Sequence, residues 1–245
     1  KAPKALTSWL QKRRIIESLG IKQLIVKRFT PEFSQMSYKE FVIDYLVKRF
    51  AVKEIIVGED FRCGYQSLGT PKRLAELGKE YGFNVQAVSP IKIKGQELGS
   101  RYIRAWLAKG ELAKAKEQLG RNFIMDCKVT KGDQRGRKLG FPTANLIPKT
   151  DYVIPPSGVY ACKVHVDDKS YNGVANLGLR PTFNKNEFSI EVHIFDFKAN
   201  LYDKSLGLEF VERIRGEKNF ASSQELITRI KEDIKIAKRI IGDRY

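Results

Sequence analysis

Beyond Arg121 the chain changes its period, and that change constrains the fold more than any other feature of the sequence. "FIMDCKVT", "GVYACKVHV", "YNGVANLG", "FSIEVHIFDF" and "LGLEFVERI" are strand-like runs separated by turns of Gly, Pro, Asn and Asp. Such spacing predicts an antiparallel barrel or sandwich. One long helix, "SSQELITRIKEDIKIAKRII", closes the segment. Ser222 and Glu225 stand at the spacing of a capping box, and Leu226, Ile230, Ile234, Ala237 and Ile241 form one apolar stripe, expected to pack on the strands.

Residues 1 to 120 read differently. "KALTSWLQKRRIIESLG" is an amphipathic helix stopped by Gly20, "SYKEFVIDYLVKRF" carries a capping box at Ser37 and Glu40, and "TPKRLAELGKEYG" runs from cap Thr70 and Pro71 to Gly82. Between them "KQLIVKRF", "EIIVG" and "FNVQAV" read as strands. Helices alternating with strands predict a parallel α/β sheet. Leu24–Val26 and Ile55–Val57 are apolar on consecutive residues, as interior strands are. Three strands alone would leave such strands at an edge, so the α/β half reads as incomplete. The domain boundary is expected at 120/121.

No stretch of the 245 residues approaches the roughly 18 apolar residues of a membrane span, and no signal peptide is evident. Cys63, Cys127 and Cys162 form no CxxC pair, which argues against a zinc site or a disulfide scaffold. A cytoplasmic protein with reduced thiols is expected. The net charge of +17 is spread along the chain without a basic tract. It suits phosphorylated small ligands and is a weak signal for nucleic acid.

Two features carry chemistry. In "KGDQRGRKLGFPTANL", Gly132, Gly136 and Gly140 recur every four residues among Lys131, Arg135, Arg137 and Lys138. Glycine lets backbone N–H groups approach phosphate oxygens, and the cations supply countercharge. Thr143 offers a hydroxyl suited to Mg²⁺ that carries phosphates, and Asn145 an amide on the same side of an extended chain. The pattern is not GxxxxGK[ST], and a basic, glycine-rich surface hairpin accounts for it equally well. The second feature is Glu191, inside the otherwise apolar "EFSIEVHIFDF". Alternation puts Ile190, Val192 and Ile194 on one face and Glu191, His193 and Phe195 on the other. Glu191 on that face either meets solvent or a barrel-end salt bridge, or, near an alcohol substrate, serves as a general base for phosphoryl transfer.

Taken in order, "GRKLGFPTANL", "PSGVYAC", "GVANLGLRPTF", "EVHIFDF", "LYDKSLGLEFVERIRGEKNF" and a capped final helix resemble the riboflavin kinase module. That module is the C-terminal half of the bifunctional bacterial riboflavin kinase/FMN adenylyltransferase (FAD synthetase) family. Upstream, "VGEDFRCGYQSLGT" and "LGSRYIRAWLAKGEL" are similar to segments of its adenylyltransferase half. The resemblance implies an incomplete Rossmann-like nucleotidyltransferase α/β domain followed by a six-stranded antiparallel β-barrel kinase domain with a C-terminal helix. It implies transfer of the γ-phosphoryl of ATP to the 5′-hydroxyl of riboflavin, giving FMN, with Mg²⁺ held by Thr143 and Asn145. Gly132, Lys138 and Gly140 would line the nucleotide loop with them, Glu191 would be the base, and Arg215 would belong to the segment closing over the flavin.

The sequence departs from the family in one half. The adenylyltransferase His-x-Gly-His is absent, since His165 and His193 both lie in the kinase half, and the family's Ser-Ser-Thr stands as Gly99-Ser100-Arg101. A riboflavin kinase without FAD synthesis is therefore expected of the chain as written. Two alternatives stand beside it: the full bifunctional enzyme, and a flavin-sensing regulator that binds RNA through its positive surface. The expected partners are riboflavin and ATP, with no membrane.

Overall fold

The computed structural model describes residues 2–132, 135–182 and 185–242, without the side chains at 135, 138, 179–182 and 185–187. Two compact units emerge, Gln23–Leu98 and a second built from Lys1–Lys22 with Gly99–Tyr245. Helix α1 (Trp9–Ser18), capped by Ser8, belongs to the second.

Gln23–Leu98 is the α/β unit. It holds α2 (Pro31–Ser34), α3 (Tyr38–Glu40, continuing as a π-helical stretch over Phe41–Arg49), β1 (Glu54–Gly58), α4 (Pro71–Tyr81) and β2 (Asn84–Val88). A small hairpin of β3 (Lys92–Ile93) and β4 (Gln96–Glu97) follows. The local signals act as expected. Ser37 and Glu40 close a reciprocal capping box, Thr70 accepts from the Arg73 N–H at 3.3 Å, and Gly82 ends α4 at φ +76°. β1 and β2 pair in parallel, and Ile55 packs with Val42, Leu74, Leu77 and Phe83 into one small core. The strand expected at Leu24–Val26 does not form. Its three side chains are 37–64% exposed and its backbone pairs with no strand among the described residues. An apolar run becomes a strand only when a neighbouring strand satisfies its N–H and C=O groups.

The second unit is the barrel with what packs on it. α5 (Ser100–Lys109) and α6 (Leu112–Leu119) bury Ile103, Leu107, Leu112 and Ala115 in the same core as the barrel interior. α1 is tied to the barrel by Ser8 Oγ donating to Asp126 and by Gln11 Nε2 donating to the Ile124 carbonyl at 3.2 Å. Residues 1–22 and 99–120, which the sequence reading grouped with the α/β half, thus pack with the barrel. Helical propensity states that a segment is a helix but not which core receives its apolar face.

The strands are β5 (Phe123–Thr130), β6 (Ala144–Pro148), β7 (Gly158–Val166), β8 (Lys169–Thr182), β9 (Lys185–Ile194) and β10 (Ser205–Arg215), with the short α7 (Arg135–Lys138) between β5 and β6. They close in the order β10-β5-β6-β9-β8-β7, every pair antiparallel. Closure removes the exposed edges that an open sheet would present. Asp167 and Asp168, at φ +46° and +62°, make the two-residue turn between β7 and β8. Alternate residues fill the interior: Phe123, Met125, Cys127 and Val129 of β5 are each at most 2% exposed. Phe210 stacks on Phe123 and meets Tyr160 edge-on. Burial pushes the Cys127 thiol up to about 12 and raises that of Cys162 as well.

The last element, α8 (Ser223–Ile241), lies on the outer face of β7, β8 and β10. Its Ala237, Ile234 and Ile241 pack with Val159, Ala161, Val174 and Phe195. Ser222 caps it, but the Glu225 carboxylate accepts from the Ala221 N–H, one residue before the cap, so the capping box is displaced. No helix among the described residues is long and apolar enough to cross a membrane.

Candidate active site

The site is written in the strand register. Thr130 lies opposite Asn145, Asn145 opposite Glu191, Glu191 opposite Asn176, Asn176 opposite Val159, and Val159 opposite Arg215. One row of paired residues therefore crosses all six strands. Directly paired residues of antiparallel strands share a face. Their neighbours Leu146, Ile190, Val192 and Leu177 fill the core, so the row faces outward. α8 and the segment after β10 cover much of that outer face, which turns a solvent side into the wall of a cavity of about 770 Å³ lined by Asn176, Glu191, His193 and Arg215. This settles the orientation of Glu191: it points away from the core, as alternation requires, yet into a partly enclosed space.

Around Glu191 the glycine-rich segment closes tightly. Thr143 Oγ1 donates to Glu191 Oε2 at 3.1 Å. Gly132 sits against the Asn145 amide, where a Cβ would fall 1.9 Å from Nδ2. Gly136 is equally confined, since a Cβ there would meet the Phe141 carbonyl at 2.4 Å and Thr143 Oγ1 at 3.1 Å. The Phe141 N–H donates to the Gly136 carbonyl at 2.8 Å, folding the loop back on itself. Gly140 contributes only its conformation, φ +87°, since a Cβ there would meet nothing within 4 Å. The Lys138 side chain lies outside the described residues.

Thr143 also lines a second cavity of about 560 Å³, bounded by Arg137, Lys198, Asn200 and Tyr202. One hydroxyl thus borders both spaces, beside Glu191 in the first and together with Arg137 and Lys198 in the second. Thr143 and Asn145 present oxygen donors beside Glu191. Among the described residues no group of three His, Cys, Asp or Glu could hold a metal by itself. That donor set fits Mg²⁺, which is bound by few protein ligands and completed by phosphates and water. It does not fit a metal caged by protein alone.

Arg215 stands at the far end of the row, with its guanidinium taken. Its Nε lies 3.0 Å from both Asp233 oxygens and its Nη2 donates to Oδ2 at 2.7 Å, while Nη1 donates to the Gly216 carbonyl. Asp233 is 3% exposed and also faces Arg229 Nε at 3.2 Å. The pair pins α8 to the end of β10. Its guanidinium also lies 5.7 Å from the Phe220 ring centroid, which walls the same cavity.

Sequence reasoning missed Asn176 and His193. Each is polar on the outward face of a strand, and only the register places Asn176 beside Glu191. It also assigned all of the α8 stripe to packing, whereas Leu226 and Ile230 line the cavity.

Comparison with known proteins agrees with this fold. The riboflavin kinase family model matches residues 119–241, and the FAD synthetase model matches residues 1–102. The bifunctional riboflavin kinase/FMN adenylyltransferase of Escherichia coli K12 is 36% identical over 243 residues, spanning 99% of this chain and 77% of that protein. That of Bacillus subtilis is 36% identical over 238 residues, 95% of this chain and 74% of that protein. The crystal structure of a macrolide-efflux protein from Streptococcus pneumoniae superposes with a TM-score of 0.85 at 28% identity, covering 95% of this chain and 75% of that one. The match over residues 1–102 leaves the expected loss of adenylyl transfer without support and favours the alternative in which both activities belong to the protein. The two family models, which together match residues 1–102 and 119–241, and the 36% identity over 99% of the chain place it in the bifunctional riboflavin kinase/FMN adenylyltransferase family.

Proposed function

We propose that the protein phosphorylates riboflavin at the barrel site and belongs to a bifunctional enzyme that also adenylylates the resulting FMN. The observation that carries the kinase reading is the register row, which sets Glu191 beside Asn145 and within hydrogen-bond reach of Thr143, where the two cavities share a wall.

In this reading the cavity under α8 takes the flavin, its apolar wall of Leu226, Ile230 and Phe220 matching the flavin ring and Arg215 ordering the segment that closes it. The second cavity takes ATP, with Arg137 and Lys198 countering phosphate charge. Thr143 and Asn145 hold Mg²⁺, which when bound neutralises charge on the phosphates. The confinement of Gly132 keeps its backbone close to Asn145, and Lys138 and Gly140 complete the loop over the phosphates. Glu191 takes the proton of the ribityl 5′-hydroxyl as that oxygen bonds to the γ-phosphorus. The bond to the β-phosphate bridging oxygen breaks, and ADP leaves with its electron pair. Positioning supplies most of the acceleration in such a transfer, and the base typically adds 10²–10⁴-fold.

The test is an end-point incubation with riboflavin, ATP and Mg²⁺, with the flavins separated by chromatography. FMN formation that falls by about 10²-fold or more in Glu191→Gln supports the kinase reading. FAD appearing after FMN supports the second activity, and FMN accumulating without FAD refutes it for this chain. Unchanged riboflavin with the unaltered protein would refute both.

A further inference from the structure

We infer that His193 is a positioning residue that fastens the Pro-Thr-Ala-Asn segment and so fixes the place of Thr143. This rests on the kinase reading above. The β6–β9 ladder ends where Ala144 pairs with Val192, one residue short of Thr143 and His193. There the imidazole takes over from the backbone. His193 Nδ1 lies 2.8 Å from the Pro142 carbonyl oxygen. A carbonyl can only accept, so Nδ1 carries the proton and donates it. The ring also meets Phe141 edge-on at 5.9 Å and Phe195 at 5.8 Å.

Phe195 is 7% exposed and packed under α8, so the imidazole is braced from the barrel side and grips the loop on the other. The two residues it holds, Phe141 and Pro142, immediately precede Thr143. Proline supplies no N–H, so position 142 cannot be fastened by a donated backbone hydrogen bond and relies on its carbonyl. Releasing that carbonyl frees the Thr143 hydroxyl to leave the 3.1 Å contact with Glu191. Displacements of about 1 Å at a reacting centre can cost 10²-fold in rate.

Two substitutions separate the hydrogen bond from the ring. His193→Phe keeps a ring against Phe141 and Phe195 but cannot donate. His193→Asn loses the ring and keeps a donor nitrogen at the δ position. Steady-state kcat/KM for MgATP, KM for riboflavin and calorimetric Kd for MgADP are measured for the unaltered protein and both variants. The expected result for His193→Phe is a fall of tenfold or more in kcat/KM for MgATP, a weaker MgADP Kd, and a riboflavin KM within twofold. His193→Asn is expected to recover most of the loss. Unchanged nucleotide kinetics in His193→Phe, or equal loss in both variants, would overturn the inference. If His193→Phe does not fold, His193→Asn decides: kcat/KM within threefold of the unaltered protein supports the hydrogen bond, and a tenfold loss overturns it. An unaltered protein that neither makes FMN nor binds MgADP would instead overturn the kinase reading.

Discussion

Gly132→Ala is the substitution whose effect the structure sets most narrowly. The added Cβ would stand 1.9 Å from Asn145 Nδ2 and 2.4 Å from its Cγ, where ordinary contact begins near 3.4 Å. Either the Asn145 amide or the loop must retreat by about 1.5 Å. Asn145 is held in the ladder between Thr130 and Glu191, so its backbone cannot follow. The amide therefore rotates out of the row, or the loop lifts away from it. A misplacement of that size at the proposed phosphate site corresponds to about 10²-fold in rate, or about 2.7 kcal/mol of transition-state stabilisation. Gly132 lies outside every strand, so the loop and the Asn145 side chain rather than the barrel ladders take up the displacement, and activity should fall far more than thermal stability. The assay pairs kcat/KM for MgATP with the thermal unfolding midpoint. Kinetics within twofold of the unaltered protein would refute the placement of Gly132 against Asn145. A large loss of thermal stability in parallel with activity would refute the claim that the contact serves the site rather than the fold.

Thr143→Ala removes the hydroxyl that donates to Glu191 and borders both cavities, and should lower kcat/KM for MgATP at least tenfold with riboflavin affinity little changed; normal ATP use would remove Thr143 from the phosphate site. Asp233→Ala leaves the Arg215 guanidinium, 16% exposed, without its carboxylate and should cost about 3–5 kcal/mol in denaturant unfolding, whereas Arg215→Met with Asp233→Leu should cost less. The Glu209 carboxylate is held below its ordinary 4.5 chiefly by the His165 ring, 2.5 Å away, against an opposing effect of burial, and with further help from Asn122. Because its folded pKa is depressed, the stability it lends is complete above the ordinary value and is lost as pH falls through the folded one. Unfolding free energy followed downward from pH 6 should therefore fall more steeply in the unaltered protein than in Glu209→Gln, and equal slopes would refute the pairing.

Local signals in this sequence report local structure faithfully. The caps at Ser37, Thr70 and Ser222 and the stop at Gly82 act where they are read, because a helix terminus is satisfied within a few residues. Alternation along β5 and β9 likewise separates core from outer face, since the period of two is a property of the strand itself. Leu24–Val26 marks the limit. The run has the composition of an interior strand, but a strand exists only in a pair, and no partner stands beside it among the described residues.

The candidate site divides along the same line. Residue types and chain order marked Gly132, Thr143, Asn145 and Glu191 as candidates but left a surface hairpin and a solvent-facing carboxylate open beside them; the resemblance to a family gave them their proposed roles. Their assembly was decided elsewhere. Asn176 stands beside Glu191 only through the β8–β9 register, His193 reaches Pro142 only because β6 lies next to β9, and Leu226 and Ile230 face a cavity only because α8 spans part of the outer wall. Register and docking depend on contacts between residues far apart in the chain. By itself, then, the sequence determined the chemistry available and the elements that carry it; barrel closure and the seating of α8 decided which groups meet, and made the outward face of β9 the wall of a site.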